Sequence, residues 1–162
     1  GCDSDDGPGP GDPTDSTISF ILNGGSWSNT AIELRDNARG LWLTQSNGRL
    51  MAVLDGLASV GGTATRRIVA TITIPASNPG THPWIDPKGA VLSSSGLFLD
   101  IYEQDGSVQS YQAVQGSTVL GVFRAVGEQT DGSFEGSLRS SIDGGIITVS
   151  NGTFSLTRIS NL

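Results

Sequence analysis

The stretch that decides the fold is 132-GSFEGSLRSSIDGGIITVSNGTFSLTRI-159, near the end of the chain. Apolar and polar residues alternate in both of its halves, and in the first half Phe134 and Leu138 stand among Glu, Ser and Arg residues. A period of two is typical of a β-strand with one buried face, because successive side chains point to opposite sides. Between the halves, Asp143-Gly144 supplies the positive φ angles of a tight hairpin turn. The stretch therefore predicts two antiparallel strands joined by a short turn.

The same alternation runs through the rest of the chain from Thr17 onward. It is punctuated by more dipeptides that favour tight turns, namely Asn47-Gly48, Asp105-Gly106 and Asp131-Gly132. Asn151-Gly152 is either one more turn or a bulge within one long final strand. The run 119–126 is apolar on both faces apart from Arg124, which predicts a central strand. These patterns predict an all-β fold of about ten strands, and we expect an antiparallel β-sandwich, with a closed β-barrel as the alternative.

Composition divides the chain into two parts. Residues 1–16 are Gly, Pro, Asp, Ser and Thr with a single Cys, so they lack the apolar surface that stable folding requires. We predict a flexible acidic tether over residues 1–16 and a single β-domain over residues 17–162. Five acidic residues precede Ser16, and the remaining eleven face nine basic residues. The near-neutral domain lacks the basic excess that a nucleic-acid partner requires.

Cys2 is the only cysteine, so we expect neither an intramolecular disulfide nor a cysteine-based zinc site. The segment Gly1-Cys2-Asp3-Ser4-Asp5-Asp6 resembles a bacterial lipoprotein after removal of its signal peptide, in which the cysteine at the cleavage site carries the lipid. Its acidic run is similar to the export signals of surface lipoproteins in the Bacteroidetes and their relatives. The resemblance implies a membrane partner, bound through lipid on Cys2, at the bacterial outer membrane. The domain then lies at the cell surface or, alternatively, on the periplasmic face.

Two other interpretations of this segment remain open. One is an incidental cysteine in a solubilising tail, and the other is a calcium site made by the Asp residues of the tail, although their spacing departs from the EF-hand loop. The stretch 132–159 is itself similar to the last strands of small β-rich bacterial lipoproteins. That second resemblance implies a fold class and no activity.

Residues that carry chemistry are few. His82 is the only histidine, and no metalloprotease, nucleotide-binding or serine-hydrolase motif occurs, so we predict a non-catalytic protein without cofactor or metal. His82 and Trp84 lie in a Pro-rich segment, 75–89, that is too long for a hairpin turn. Trp84, His82, Trp27 and Trp42 are candidates for contacting a ligand or a partner, the tryptophans by stacking on a sugar or anchoring a partner. The plainer interpretation is that Trp84 closes one end of the domain and His82 forms a hydrogen bond within its loop.

Three functions are consistent with these patterns. We expect a lipid-anchored cell-surface or periplasmic β-domain with a binding or structural role. The first alternative is a subunit of a surface filament or pilus, in which residues 17–22 complete the sheet of another copy of the chain through Ile18, Phe20 and Leu22. The second alternative is a carbohydrate-binding module that recognises surface glycans.

Overall fold

The computed structural model describes residues 16–36, 41–46, 49–62, 64–88 and 95–158. These residues form ten strands and no helix. The strands are β1 Ser16–Gly24, β2 Trp27–Asp36, β3 Leu41–Ser46, β4 Arg49–Val60, β5 Ala64–Ile74, β6 Gly80–Pro83, β7 Gly96–Tyr102, β8 Val108–Leu120, β9 Gln129–Ser140 and β10 Ile146–Thr157.

Eight of the strands close into an antiparallel barrel. Their order is β9-β10-β1-β2-β4-β5-β7-β8, and β8 pairs back to β9. The two other strands each pair with one barrel strand, β3 with β4 and β6 with the far half of β8. The all-β prediction is confirmed, and of the two predicted architectures the structure has the closed barrel rather than the sandwich. Closure removes the two free edges that an open sheet of these eight strands would present.

The barrel interior is filled by the apolar side of the alternating pattern. Three phenylalanine rings pack together in it: Phe20 and Phe134 are tilted with ring centroids 5.9 Å apart, and Phe134 and Phe154 are stacked with centroids 6.4 Å apart. Two glycines make room for these rings. A Cβ added to Gly132 would lie 2.1 Å from Phe154 Cζ, and one added to Gly152 would lie 2.6 Å from Phe134 Cδ2. The interior is therefore a packed core.

Both glycines belong to dipeptides for which the sequence predicted a turn or a bulge. Asn151-Gly152 is a bulge within β10, as the second alternative predicted, because the pairing with β1 shifts between Ser150 and Thr153 and Asn151 has φ 52°. The turn predicted at Asp131-Gly132 is wrong. Those residues lie inside β9, where the bare backbone of Gly132 is needed next to the Phe154 ring.

Two other turn predictions are confirmed. Asp105-Gly106 lies between β7 and β8, and Asp143-Gly144 lies between β9 and β10, with positive φ angles at both glycines. Asn47-Gly48 lies outside the described residues. The central strand predicted over 119–126 is wrong after Leu120, where β8 ends and residues 121–128 form a loop.

The antiparallel register gives the barrel two different ends. We call the hairpin end the one with the short turns β1–β2, β4–β5, β7–β8 and β9–β10. We call the other the terminal end, where β1 begins at Ser16 and β10 finishes at Thr157. These two residues are bonded to each other, because the Thr157 amide donates to Ser16 Oγ at 2.9 Å. Residue 16, where the predicted tether meets the barrel, is therefore at the opposite end from the four turns.

Candidate functional site

A polar and aromatic cluster lies at the hairpin end of the barrel. We call it the Trp27 network, and its members are Trp27 at the start of β2, Arg66 in β5, Glu103 just after β7, and Gln109 and Tyr111 in β8. Antiparallel pairing of β7 with β8 and of β5 with β7 brings three of these strands side by side at the same end. Trp27 lies on β2, which pairs with none of these three strands, so its contact with Tyr111 is made across the barrel.

The members of the Trp27 network contact one another in a closed ring. Trp27 Nε1 donates to the Tyr111 hydroxyl at 3.3 Å, and that hydroxyl donates to Gln109 Oε1 at 2.6 Å. Gln109 Nε2 donates to Glu103 Oε2 at 2.5 Å, and Arg66 Nη1 lies 2.9 Å from Glu103 Oε1. The Arg66 guanidinium then lies 5.7 Å from the centroid of the Trp27 ring, which closes the ring of contacts through a cation–π interaction.

Burial differs between the two sides of this network. Trp27 and Tyr111 are only 7% and 6% exposed, whereas the side chains of Arg66 and Glu103 keep 30% and 22% of their surface. The aromatic pair belongs to the core, and the ion pair faces outward. Each side chain is held by at least two partners, so the network offers solvent a rigid polar surface whose geometry is already set.

Two adjoining concavities open beside the Trp27 network. One of about 470 Å³ is lined by Tyr111, Ile142, Asp143 and neighbouring residues of the β1–β2 and β9–β10 turns. The other, of about 650 Å³, is lined by Trp27, Arg66, Glu103, Gln104 and Asp105. Ser26 and Gln109 line both. We treat the two as one hairpin-end cleft, and the volume of each part falls in the range of small-ligand sites.

The rim of the cleft combines apolar and anionic groups. Ile142 and Ile146 in and after the β9–β10 turn are 71% and 52% exposed. Asp105 in the β7–β8 turn accepts hydrogen bonds from the hydroxyl and the amide of Ser107, at 2.6 and 2.9 Å. These donors hold the pKa of the Asp105 carboxyl below its ordinary value, so it is ionised at neutral pH. The cleft thus offers carboxylate, amide and guanidinium groups next to exposed apolar surface.

Trp84 and His82, the predicted contacts in the Pro-rich segment, are both buried at 6% exposure. Trp84 Nε1 donates to Thr118 Oγ1 at 2.8 Å, and the ring lies against two glycines that face each other across β8 and β9. A Cβ added to Gly116 would lie 2.7 Å from Trp84 Cε3, and one added to Gly136 would lie 2.5 Å from Cζ3. The Trp84 ring is part of the core and leaves little surface for a ligand.

His82 has a local role of the same kind. Its Nε2 lies 2.8 Å from the carbonyl oxygen of Asn78 in the preceding loop. Farther along the segment, both Asp86 carboxylate oxygens accept hydrogen bonds from Arg139 of β9, at 3.0 and 3.3 Å. The described part of the Pro-rich segment is therefore bound to the barrel wall at several points.

Of the other two tryptophans, Trp27 belongs to the hairpin-end cleft. Its exposure of 7% leaves its ring faces covered, one of them by Arg66, so Trp27 is not a stacking platform, and its N–H already donates to Tyr111. Trp42 lies in β3, and its side chain falls outside the described residues. Cys2 also lies outside them.

The predicted strand-addition segment is part of the barrel wall. β1 pairs with β2 on one side and with β10 on the other, and Ile18, Phe20 and Leu22 point into the core with at most 2% exposure. Both edges of residues 17–22 are therefore bonded within the chain. This arrangement counts against the filament alternative, which needs the segment to pair with a second copy.

Within the described ranges, no three His, Cys, Asp or Glu side chains are grouped closely enough to hold a metal ion. Nor do the described residues include a helix with the length and apolarity needed to cross a bilayer. No protein-family model matches the chain, and no curated protein or solved structure is significantly similar to it. Any function must therefore be argued from the site.

Four residues of the Trp27 network were missed by sequence reasoning: Arg66, Glu103, Gln109 and Tyr111. Each belongs to a type that is common on strands and turns, and their spacing carries no motif. The Asp105-Gly106 turn was one signal from which two of these residues could have been found. A hairpin turn there places the flanking residues 103 and 109 close together at one end of the hairpin.

Proposed function

We propose that this protein is a non-catalytic binding domain, anchored to a bacterial membrane by lipid on Cys2, which presents the hairpin-end cleft to the surroundings. The observation that carries the proposal is the position of Ser16. β1 begins at the terminal end, opposite the four turns, three of which line the cleft. A chain held through its N-terminal segment therefore directs the cleft away from the membrane.

Three further features support a role in surface binding. The acidic segment around Cys2 resembles the lipid-attachment segment of surface lipoproteins. The barrel interior is filled by side chains such as Phe20, Phe134 and Phe154, so a ligand binds on the outside. The cleft residues are fixed by mutual contacts before any ligand arrives, which reduces the entropy lost on binding.

The test uses the protein expressed from its own gene in its native bacterium. An Ile142→Cys variant places a thiol at the hairpin end, and a membrane-impermeant maleimide is applied to intact cells. We expect the variant to be labelled and to sediment with membranes, while Cys2→Ser releases the protein from membranes. The parent chain is the control, since a lipid-bearing Cys2 has no free thiol to label.

Two other labelling patterns would contradict parts of the proposal. Labelling of the parent chain would show a free Cys2 thiol and contradict the anchor. Labelling of Ile142→Cys only after lysis would contradict display at the cell surface and favour the periplasmic face.

A second candidate function is glycan binding, and the chemistry of the Trp27 network favours it. Sugar hydroxyls act as both donors and acceptors, and Glu103, Gln109 and Arg66 offer the matching groups side by side at the cleft. Because the faces of the Trp27 ring are covered, binding at this cleft relies on hydrogen bonds rather than on stacking on that ring. A glycan array probed with the whole protein tests it. Binding to a defined glycan supports the function, and a blank array at millimolar concentrations contradicts it.

A further inference from the structure

The loop between β8 and β9 presents two apolar side chains at the terminal end. We call residues 121–128, GVFRAVGE, the terminal-end loop. Val122 and Val126 are 60% and 53% exposed, and Arg124 between them is exposed as well. A single exposed valine is ordinary in a soluble domain. Two on one short loop, with a cation between them, form a small amphipathic surface.

The stem of the terminal-end loop is held by the start of β9. The Gly121 amide donates to the Asp131 carbonyl at 2.8 Å, and the Arg124 amide donates to Thr130 Oγ1 at 3.2 Å. A further bond within the loop joins the Glu128 amide to the Ala125 carbonyl at 3.0 Å. The loop therefore has a defined shape despite its exposure.

The tip of the loop is held by Arg158, the residue after β10. The Arg158 guanidinium lies 4.0 Å from the centroid of the Phe123 ring, and Nη1 donates to the Arg124 carbonyl at 2.6 Å. The Gly127 amide donates to the Arg158 carbonyl at 2.8 Å. Phe123 is thereby turned toward the body of the protein while both valines point outward. A surface fixed in this way loses little conformational entropy when it is covered.

The loop is also close to the point where the predicted tether joins the barrel. Arg158 directly follows Thr157, whose amide is bonded to Ser16 Oγ. From Cys2 to Asp15 the sequence has 14 residues. A chain of that length spans at most about 50 Å when extended, and about 20 Å on average as a coil of this Gly-rich composition. A bilayer that holds Cys2 therefore lies within reach of Val122 and Val126.

We propose that the terminal-end loop is a lipid-contact surface, with Val122 and Val126 at the boundary between headgroups and acyl chains and Arg124 beside the lipid phosphates. This inference rests on the proposed anchoring through Cys2. The occupant is a bilayer because the anchor and the loop share one end of the barrel, and because valines that flank an arginine match the apolar and anionic layers of a lipid surface. The contact fixes the tilt of the barrel and keeps the hairpin-end cleft facing away.

The test couples the full-length, unlipidated chain through the Cys2 thiol to a maleimide lipid in phosphatidylcholine vesicles that contain phosphatidylglycerol and brominated lipid. Three variants, Val122→Trp, Val126→Trp and Ile142→Trp, report on lipid contact through bromine quenching of the added tryptophan. We expect loss of emission for the first two and none for Ile142→Trp, the exposed control at the hairpin end. A companion Val122→Asp/Val126→Asp variant should abolish the protection of the loop from hydrogen exchange that vesicles give the parent.

Each alternative result overturns the inference. Unquenched tryptophans at 122 and 126 would show that the loop does not touch lipid. Equal quenching at position 142 would show that the barrel has no fixed orientation. A concentration-dependent emission shift at 122 without vesicles would show that a second copy covers the loop. Chemical coupling makes these results independent of whether cells lipidate Cys2, which is measured separately on the native protein.

Discussion

Arg66 Nη1 lies 2.9 Å from Glu103 Oε1, in an ion pair that joins β5 to the β7–β8 turn at the hairpin end of the barrel. The same guanidinium covers one face of the Trp27 ring. Arg66 therefore connects the buried aromatic part of the network to its solvent-facing part. If the hairpin-end cleft binds a ligand, Arg66 is the residue whose removal should disturb it most.

The first prediction concerns Arg66→Ala. This substitution removes the guanidinium that pairs with Glu103 and covers one face of the Trp27 ring, but it leaves the fold intact. Binding of any glycan identified on the array should therefore weaken about tenfold, equivalent to about 1.4 kcal/mol. Isothermal titration calorimetry measures this change. The matched control is Arg67→Ala, because Arg67 pairs with Asp55 on the outer wall and lies outside the cleft. Equal weakening by both substitutions would mean that the cleft is not the binding site.

The second prediction concerns the buried hydrogen bond between Trp84 and Thr118. Thr118 is fully buried, so Thr118→Val leaves the indole N–H without its acceptor and should lower the free energy of unfolding by about 1–3 kcal/mol. Thr118→Ser keeps the hydroxyl and should cost less. Urea denaturation of both variants gives the comparison. An unchanged free energy of unfolding in Thr118→Val would contradict a stabilising role of this hydrogen bond.

The third prediction concerns two glycines in strands. A Cβ on Gly116 would lie 2.3 Å from the Glu135 carbonyl oxygen, and Gly116 has φ +141°, so Gly116→Ala should destabilise the protein by about 1–3 kcal/mol through overpacking. At Gly56 the nearest atom to an added Cβ is Leu34 Cδ2 at 3.9 Å, an ordinary contact. Gly56→Ala should therefore leave thermal stability unchanged or raise it slightly. A Gly116→Ala protein as stable as the parent would contradict the packing of Trp84 against β8.

The fourth prediction concerns pH. Hydrogen bonds from Arg139, and then from the Lys88 amide, lower the pKa of Asp86 in the folded protein. A lowered folded pKa means that Asp86 contributes its stability above the ordinary carboxyl pKa of about 3.9 and loses it as the pH falls through the folded value. The Tm difference between the parent and Asp86→Asn should thus be present at neutral pH and vanish in acid. A difference that persists in acid would show that the carboxylate charge is not responsible.

Local sequence was sufficient to predict the strands but not how they close. The alternation around Phe134 and the turn at Asp143-Gly144 depend on neighbouring residues, and both appear in the structure. Closure depends on the pairing of β10 with β1 and of β9 with β8, and a sandwich uses the same alternating strands. The Trp27 network was unpredictable for the same reason, since Trp27 of β2 and Tyr111 of β8 lie on strands that do not pair and meet across the barrel.

The terminal-end loop shows a different limit. Its apolar residues predicted a strand through position 126, but the chain turns at Gly127, which has φ 91°, and Arg158 replaces a neighbouring strand as the hydrogen-bonding partner of Arg124 and Gly127. A contact between residues so far apart in sequence leaves no local pattern. The apolar pattern of residues 119–126 therefore predicted a strand where the structure has a loop after Leu120.

The most direct test of the proposed anchoring is the mass of the peptide that contains Cys2, taken from native protein isolated from the membranes of the cells that produce it. We expect Cys2 to carry diacylglycerol, so the peptide should have the mass and the hydrophobic retention of a lipid-bearing peptide. An unmodified Cys2 in membrane-derived protein would contradict the anchor, and with it the orientation that presents the hairpin-end cleft.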